Sequence, residues 1–204
     1  RYSHTSAHAF FGHKHEDEFQ IWYEMSNGNS SSVSRKTQDA RAMAFIAPSV
    51  TPLSNVNPSL RVYEVDPETY EVMDYEQYYT QLYGVDKLNG TRPSWNLLYT
   101  ARDAYANFSA SQAKGTYAAP VQLDDGVWPK GAPLNASFWA ALTDEMEARP
   151  ELIEMHQLYQ GRNSPRSPAC DTEECQKAKL CYMRSASSNL GRHCPSGFGS
   201  VQSF

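Results

Sequence analysis

The sequence predicts an α+β or α/β chain in which a first third of strands and loops leads into a helical remainder. Three observations carry that reading. Period-two alternation is confined to residues before Asp66-Pro67, and beyond it apolar and aromatic residues recur at helical spacing. All four cysteines fall between Cys170 and Cys194, as expected of disulfides stapling a small helical unit. The chain therefore divides near residue 68, into 1–68, the strand-rich end of one unit, and 69–204, a helical domain with two disulfides.

In order along the chain, His8-Ala9-Phe10-Phe11 reads as a strand running into Gly12-His13-Lys14-His15, and Phe19 to Tyr23 as an aromatic strand. Asn27 to Lys36 is too poor in apolar residues to pack and is expected to be a loop. Ala42 to Ala47 is a short apolar run stopped by Pro48, a buried strand; Leu60 to Val65 alternates as a half-buried one. After residue 68, Tyr70 to Leu82 is rich in tyrosine. Trp95, Leu98, Tyr99, Arg102 and Tyr105 follow Pro93 at helical spacing. Phe138, Leu142 and Met146 repeat that spacing after Asn135, as do Leu152, Met155, Leu158 and Tyr159 after Pro150. Ala110 to Pro133, with its glycines and prolines, is a long surface connection.

Composition excludes several classes of function. The chain has 204 residues, 40% of them hydrophobic and 20% charged, with a mean hydropathy of -0.63. A net charge of -5 and scattered lysines and arginines give no footprint for a phosphate backbone, so nucleic acid is not an expected partner. The most apolar stretch, Ala40 to Val50, is interrupted by Arg41 and Pro48, and no transmembrane segment is expected. Asn29, Asn89, Asn107 and Asn135 each begin an N-x-[ST] sequon, against about 1.6 expected by chance. Sequons and an even set of cysteines without a signal peptide suggest the C-terminal portion of a longer protein of the secretory pathway.

His13-x-His15 is the sharpest chemical signal. In extended backbone residues two apart face one side, so both imidazoles can address one metal or two adjacent ones. Alone the pattern also suits two solvated histidines, and two ligands do not complete a catalytic zinc site. His4 and His8 would need a helix to converge, and their segment reads as strand. Glu16-Asp17-Glu18 is either a set of partners orienting the imidazoles or a charged loop, the latter being favoured. The cysteine gaps of four, five and twelve residues are unlike zinc ribbons, so disulfides are expected. Of three possible connectivities, Cys170 with Cys175 and Cys181 with Cys194 closes the shortest loops. The 13 tyrosines and four tryptophans read mainly as core, with a lipid- or partner-facing surface as the lesser reading.

The run Phe10-Phe11-Gly12-His13-Lys14-His15-Glu16-Asp17-Glu18-Phe19 resembles the final metal motif of the acid sphingomyelinase family, within the calcineurin-like metallophosphoesterases. Ala47 to Pro52, Asn57 to Tyr63 with Asp66, Trp95 to Tyr99 and the C-x4-C-x5-C-x12-C tail resemble that family in the same order, over nearly the whole chain. Lys14 departs from the threonine usual there. The resemblance implies that 1–68 is the C-terminal part of a metallophosphoesterase catalytic β-sandwich, followed by a helical C-terminal domain. It implies a two-zinc centre in which His13 and His15 each hold a different metal. An Asp-x-His pair, a bridging Asp, an Asn-His pair, a further His and the catalytic His would all come from an N-terminal portion of the same protein. No catalytic residue beyond the metal ligands is expected in this chain.

The implied activity is sphingomyelin phosphodiesterase, releasing ceramide and phosphocholine at a membrane surface by a water activated between two metals. Ser49 to Pro58 would line the rim of the site, and the protein would be secreted or lysosomal or vacuolar. The competing expectations are a phosphodiesterase of the same fold acting on nucleotides or other phosphodiesters, and a non-catalytic secreted glycoprotein that binds a partner.

Overall fold

The computed structural model of the chain describes residues 8–24, 35, 37–53, 55–82, 93–108 and 123–201. Among them are two three-stranded sheets and five α-helices, an α+β arrangement. In the first sheet β3 (Ala40–Ile46) is central. β1 (His8–Phe11) lies parallel to it on one side and β2 (Glu18–Tyr23) antiparallel on the other. The apolar run expected to be a buried strand is this central one, and Met43 and Phe45 are shielded completely. Pro48 lies two residues beyond its end, where a missing N–H removes no ladder bond.

The second sheet is an antiparallel meander, β4 (Ser59–Val65), β5 (Val72–Tyr79) and β6 (Asn96–Thr100). Asp66 makes the turn between β4 and β5, its Oδ1 accepting from the backbone N–H groups of Glu68 and Thr69. Residue 68 thus lies inside a hairpin turn. Two strands also occupy stretches whose spacing suggests helix: β5 runs through Tyr70–Leu82, and β6 through the segment after Pro93. Aromatic side chains suit a pleated, half-buried surface, and β5 carries three tyrosines. The helical spacing of Trp95, Leu98, Tyr99, Arg102 and Tyr105 arises because β6 passes directly into α1 (Ala101–Tyr105), capped by the Thr100 hydroxyl. Inward Tyr99 and Tyr105 belong to different elements.

Helices follow as expected for α2 (Ala136–Ala148) and α3 (Glu151–Gln160), and then α4 (Glu173–Met183) and the short α5 (Ser188–Gly191). Asn135 caps α2, its Oδ1 accepting from the N–H of Ser137 and Phe138. α2 is buried on most sides, ten of its 13 residues being shielded between the first sheet and the other helices. Its Trp139 ring meets Phe19, Phe45, Tyr105 and Tyr75 at centroid distances of 4.5, 5.8, 5.9 and 6.1 Å. Tyr75 comes from β5 and Phe45 from β3, so one aromatic core joins both sheets to the helices. Cys170 is bonded to Cys175 and Cys181 to Cys194, with Cα separations of 5.4 and 5.6 Å. The second bond ties α4 to the segment after α5.

Candidate metal-binding loop

Gly12 to Asp17 connects the end of β1 to the start of β2. Ala47 N–H, just past β3, donates to the Phe11 carbonyl at 2.8 Å and extends the parallel pairing to the edge of the loop. His13 is exposed at the crest. His15 has φ +62°, in the left-handed region that non-glycine residues adopt seldom. Its side chain is half-buried, and Nδ1 is shielded from solvent with no hydrogen-bond partner. A buried ring nitrogen without a partner costs stability unless something else meets it.

What holds the loop in this shape is the acidic run, and here the charged-loop reading is corrected. Glu16, Asp17 and Glu18 are 1%, 2% and 7% exposed, and each is engaged by a different part of the chain. Glu16 accepts from Gln160 Nε2 at 2.6 Å, from the Ser200 hydroxyl and from the Val201 N–H at 3.2 Å. Asp17 is ion-paired with the buried Arg61 of β4 and accepts from the Tyr99 hydroxyl at 2.5 Å. Glu18 accepts from Lys14 Nζ at 2.9 Å and from Gln160 Nε2 at 2.9 Å. These carboxylates buttress the loop from below.

The electrostatics follow from burial. Arg61 lies 4.0 Å above the Tyr75 ring, and its Nε donates to Gln77 Oε1 at 3.0 Å. Burial opposes its charge, yet the adjacent Asp17 carboxylate keeps the guanidinium pKa above its usual value. Tyr75 and Tyr99 hydroxyls meet at 3.1 Å and complete the network. Burial pushes the Glu18 carboxyl up against the opposing pull of Lys14, and pushes the Lys179 ammonium down against the pull of Glu18. His156, under the Phe19 ring, is pushed down to about 3 by burial, with Lys179 and Arg61 adding repulsion.

Sequence comparison bears on this loop and on everything after it. No family model matches the sequence. Sphingomyelin phosphodiesterase of Homo sapiens is 30% identical over 198 residues, 95% of this chain and 26% of the human protein. Sphingomyelin phosphodiesterase 1 of Caenorhabditis elegans is 29% identical over 197 residues, 96% of this chain and 28% of that protein. The chain is a partial homologue of the acid sphingomyelinases over about 95% of its length. It spans about a quarter of the length of these relatives. A cyclic GMP-AMP phosphodiesterase of Mus musculus is 32% identical over 129 residues, 60% of this chain.

Of the residues the sequence singles out in this acid sphingomyelinase homologue, His13 and His15 lie together in the loop, while His8 sits at the other end of β1, His4 being outside the described residues. His8 has both ring nitrogens shielded without partners, and burial pushes its pKa down. Among the described residues no three His, Cys, Asp or Glu side chains converge as a metal site. Asn107 is exposed and Asn135 caps α2, while Asn29 and Asn89 lie outside the described residues. No helix among the described residues is long and apolar enough to cross a membrane.

Residue-by-residue reading of the sequence gave Arg61, Tyr99, Gln160, Lys179 and the 199–201 segment no part in supporting the loop. A signal existed for two of them. On α3 the buried positions are Leu152, Ile153, His156, Gln157 and Gln160, and on α4 Cys175, Ala178, Lys179, Leu180 and Met183. Gln160 and Lys179 are polar residues at positions of the apolar stripe. Such residues must find partners inside the fold.

Proposed function

We propose that this chain is the C-terminal portion of a zinc-dependent sphingomyelin phosphodiesterase that hydrolyses sphingomyelin to ceramide and phosphocholine. His13 and His15 would each hold one of two zinc ions, and an N-terminal portion of the same protein would supply the remaining ligands and the catalytic acid. The observation that carries this reading is the Gly-His-x-His loop at the end of β1, in a chain whose relatives named for sphingomyelin hydrolysis match it through its helical half as well. The residues fit the metal. Imidazole nitrogens are suitable zinc donors, and the shielded, unpartnered His15 Nδ1 is the kind of atom a ligand would satisfy.

When bound, paired zinc ions supply Lewis-acid stabilisation of phosphodiester oxygens and lower the pKa of water. This chain's own part is to hold two donors still. His13 and His15 present their rings from a short loop whose backbone is pinned by three buried carboxylates, so little reorganisation is needed when a ligand arrives. The first sheet would be the C-terminal edge of a metallophosphoesterase β-sandwich, with β1 toward the N-terminal portion. Ser49 to Pro58, with exposed Val50 and Leu53, would form the rim nearest a sphingolipid at a membrane surface. Disulfides and sequons support, on this reading, a protein of the secretory pathway that would be secreted or lysosomal or vacuolar.

A second reading, hydrolysis of nucleotide phosphodiesters, is favoured by the cyclic GMP-AMP phosphodiesterase relatives. They match little more than half of the chain, which is why the lipid substrate ranks first. The test is zinc content and turnover of the full-length protein on sphingomyelin vesicles and on a cyclic dinucleotide, with His13→Ala and His15→Ala alongside. Each substitution is expected to reduce turnover of sphingomyelin by at least about 100-fold and to lower bound zinc. Unchanged zinc and turnover in both variants would overturn the reading. Turnover of the cyclic dinucleotide alone would replace the substrate.

A further inference from the structure

Gln160 closes α3, and its amide is the point where four parts of the chain meet. Its Nε2 donates to Glu16 Oε2 at 2.6 Å, Glu18 Oε1 at 2.9 Å and the Gly199 carbonyl at 3.2 Å. Its Oε1 accepts from Lys179 Nζ of α4 at 2.5 Å. The amide orientation is dictated by chemistry. The reverse would set a carbonyl oxygen against two carboxylates and an NH2 group against an ammonium. The residue is 1% exposed, so solvent offers its amide no alternative partner.

Two carboxylates this close would repel, and a shared neutral donor is the group that lets both stay beneath the loop. Glu16 follows His15 directly, so the anchor of its carboxylate fixes the left-handed turn that aims the imidazole. The Glu16 carboxylate is also held by Ser200 and Val201, while the Gln160 amide gives it a hydrogen bond to α3 and, by accepting from Lys179, a hydrogen-bonded link to α4. We propose that Gln160 is a positioning residue for the metal-holding pair His13 and His15, acting through Glu16 from the far side of the loop. The inference rests on the metal reading above and adds to it that the helical half sets the geometry of the metal ligands.

The experiment uses the full-length protein, with zinc affinity measured by chelator competition beside kcat, KM and thermal midpoint. Gln160→Leu and Glu16→Gln are each expected to weaken zinc binding by about 10- to 100-fold, the range for partners that orient ligands, and to lower kcat with KM unchanged. The double variant should bind zinc no more weakly than the worse single one, because both changes break one chain of contacts. Gln157→Leu on the same helix is the structural control. Its buried amide donates to Pro168 O at 2.8 Å and does not reach the loop, so it should lower the thermal midpoint and leave zinc affinity alone.

Zinc affinity within twofold of the parent in folded Gln160→Leu, or additive losses in the double variant, would overturn the proposal. Should the leucine variant fail to fold, Gln160→Asn retains an amide one methylene short. It is expected to lose at least tenfold in zinc affinity, and parent-like affinity there would be equally decisive. If His13→Ala and His15→Ala leave zinc bound, the metal reading itself has failed. If they release zinc while the Gln160 variants do not, only the positioning role has.

Discussion

The buried pair Asp17 and Arg61 is where single side chains matter most. Each is shielded, each has further hydrogen bonds, and removing one leaves the other charged in a medium that solvates it poorly. Asp17→Asn is expected to lower stability by about 3–5 kcal/mol in urea unfolding. In a double-mutant cycle with Arg61→Met the combined loss should fall well short of the sum. His156 sets an expectation for pH. Its imidazole is held neutral down to about 3 in the folded chain, against an ordinary value of 6.5. The unfolded chain therefore binds a proton first, and the stability contributed by neutral His156 is lost as pH falls from about 6.5 toward 3. His156→Gln should flatten the dependence of the urea midpoint on pH within that window. An unchanged slope would show that other groups dominate it.

Two elements depend on particular terminations. α2 carries Trp139 and Phe138 into the core, and its first turn is satisfied by Asn135. Asn135→Ala is expected to cost about 1 kcal/mol in stability, whether or not the sequon is used, while Asn107→Gln at an exposed site should cost nothing measurable. The Cys181–Cys194 bond closes a loop of sequence separation 13 around α5. Replacing both cysteines by alanine is expected to cost about 3 kcal/mol on chain-entropy grounds. The loss should be local, with faster amide exchange at 188–201 while the N–H groups of β3 stay protected. Because Ser200 and Val201 hold Glu16, the same variant tests whether the tail helps to seat the loop.

At the scale of the molecule, both sheets and the helices share one core, and on the proposed reading His13 and His15 supply only part of a zinc site. Two imidazoles leave any zinc ion short of four ligands. The isolated 204-residue chain is therefore expected to bind less than two equivalents of zinc and to show no phosphodiester turnover, measured by metal analysis and a vesicle assay. Real turnover would mean the two-histidine accounting is wrong. On β1, paired only with β3 among the described strands, Phe10 and Phe11 are 55% and 49% exposed. An apolar strand edge with no second neighbour among the described strands promotes association, so the isolated chain is expected to self-associate more than a longer protein that covers this edge.

Local chemistry was legible in the sequence. Alternation and apolar runs marked β2, β3 and β4, Asn135 and Pro150 marked the starts of α2 and α3, and the spacing of His13 and His15 marked the loop, because each of these depends on residues a few positions apart. Other features required the fold. Tyr99 and Tyr105 mimicked one helix because β6 passes directly into α1, and a strand and a helix in direct succession can repeat aromatic residues at helical spacing; only the pairing of β5 with β4 and of β6 with β5 identifies the strands. Glu16, Asp17 and Glu18 looked like a solvated charged run because carboxylates are stable in water. They are buried because Arg61, Tyr99, Gln160 and the 199–201 segment arrive from distances of 44 to 185 residues along the chain. A buried charge is acceptable only where its partners converge, and convergence over such distances is a property of the tertiary structure alone.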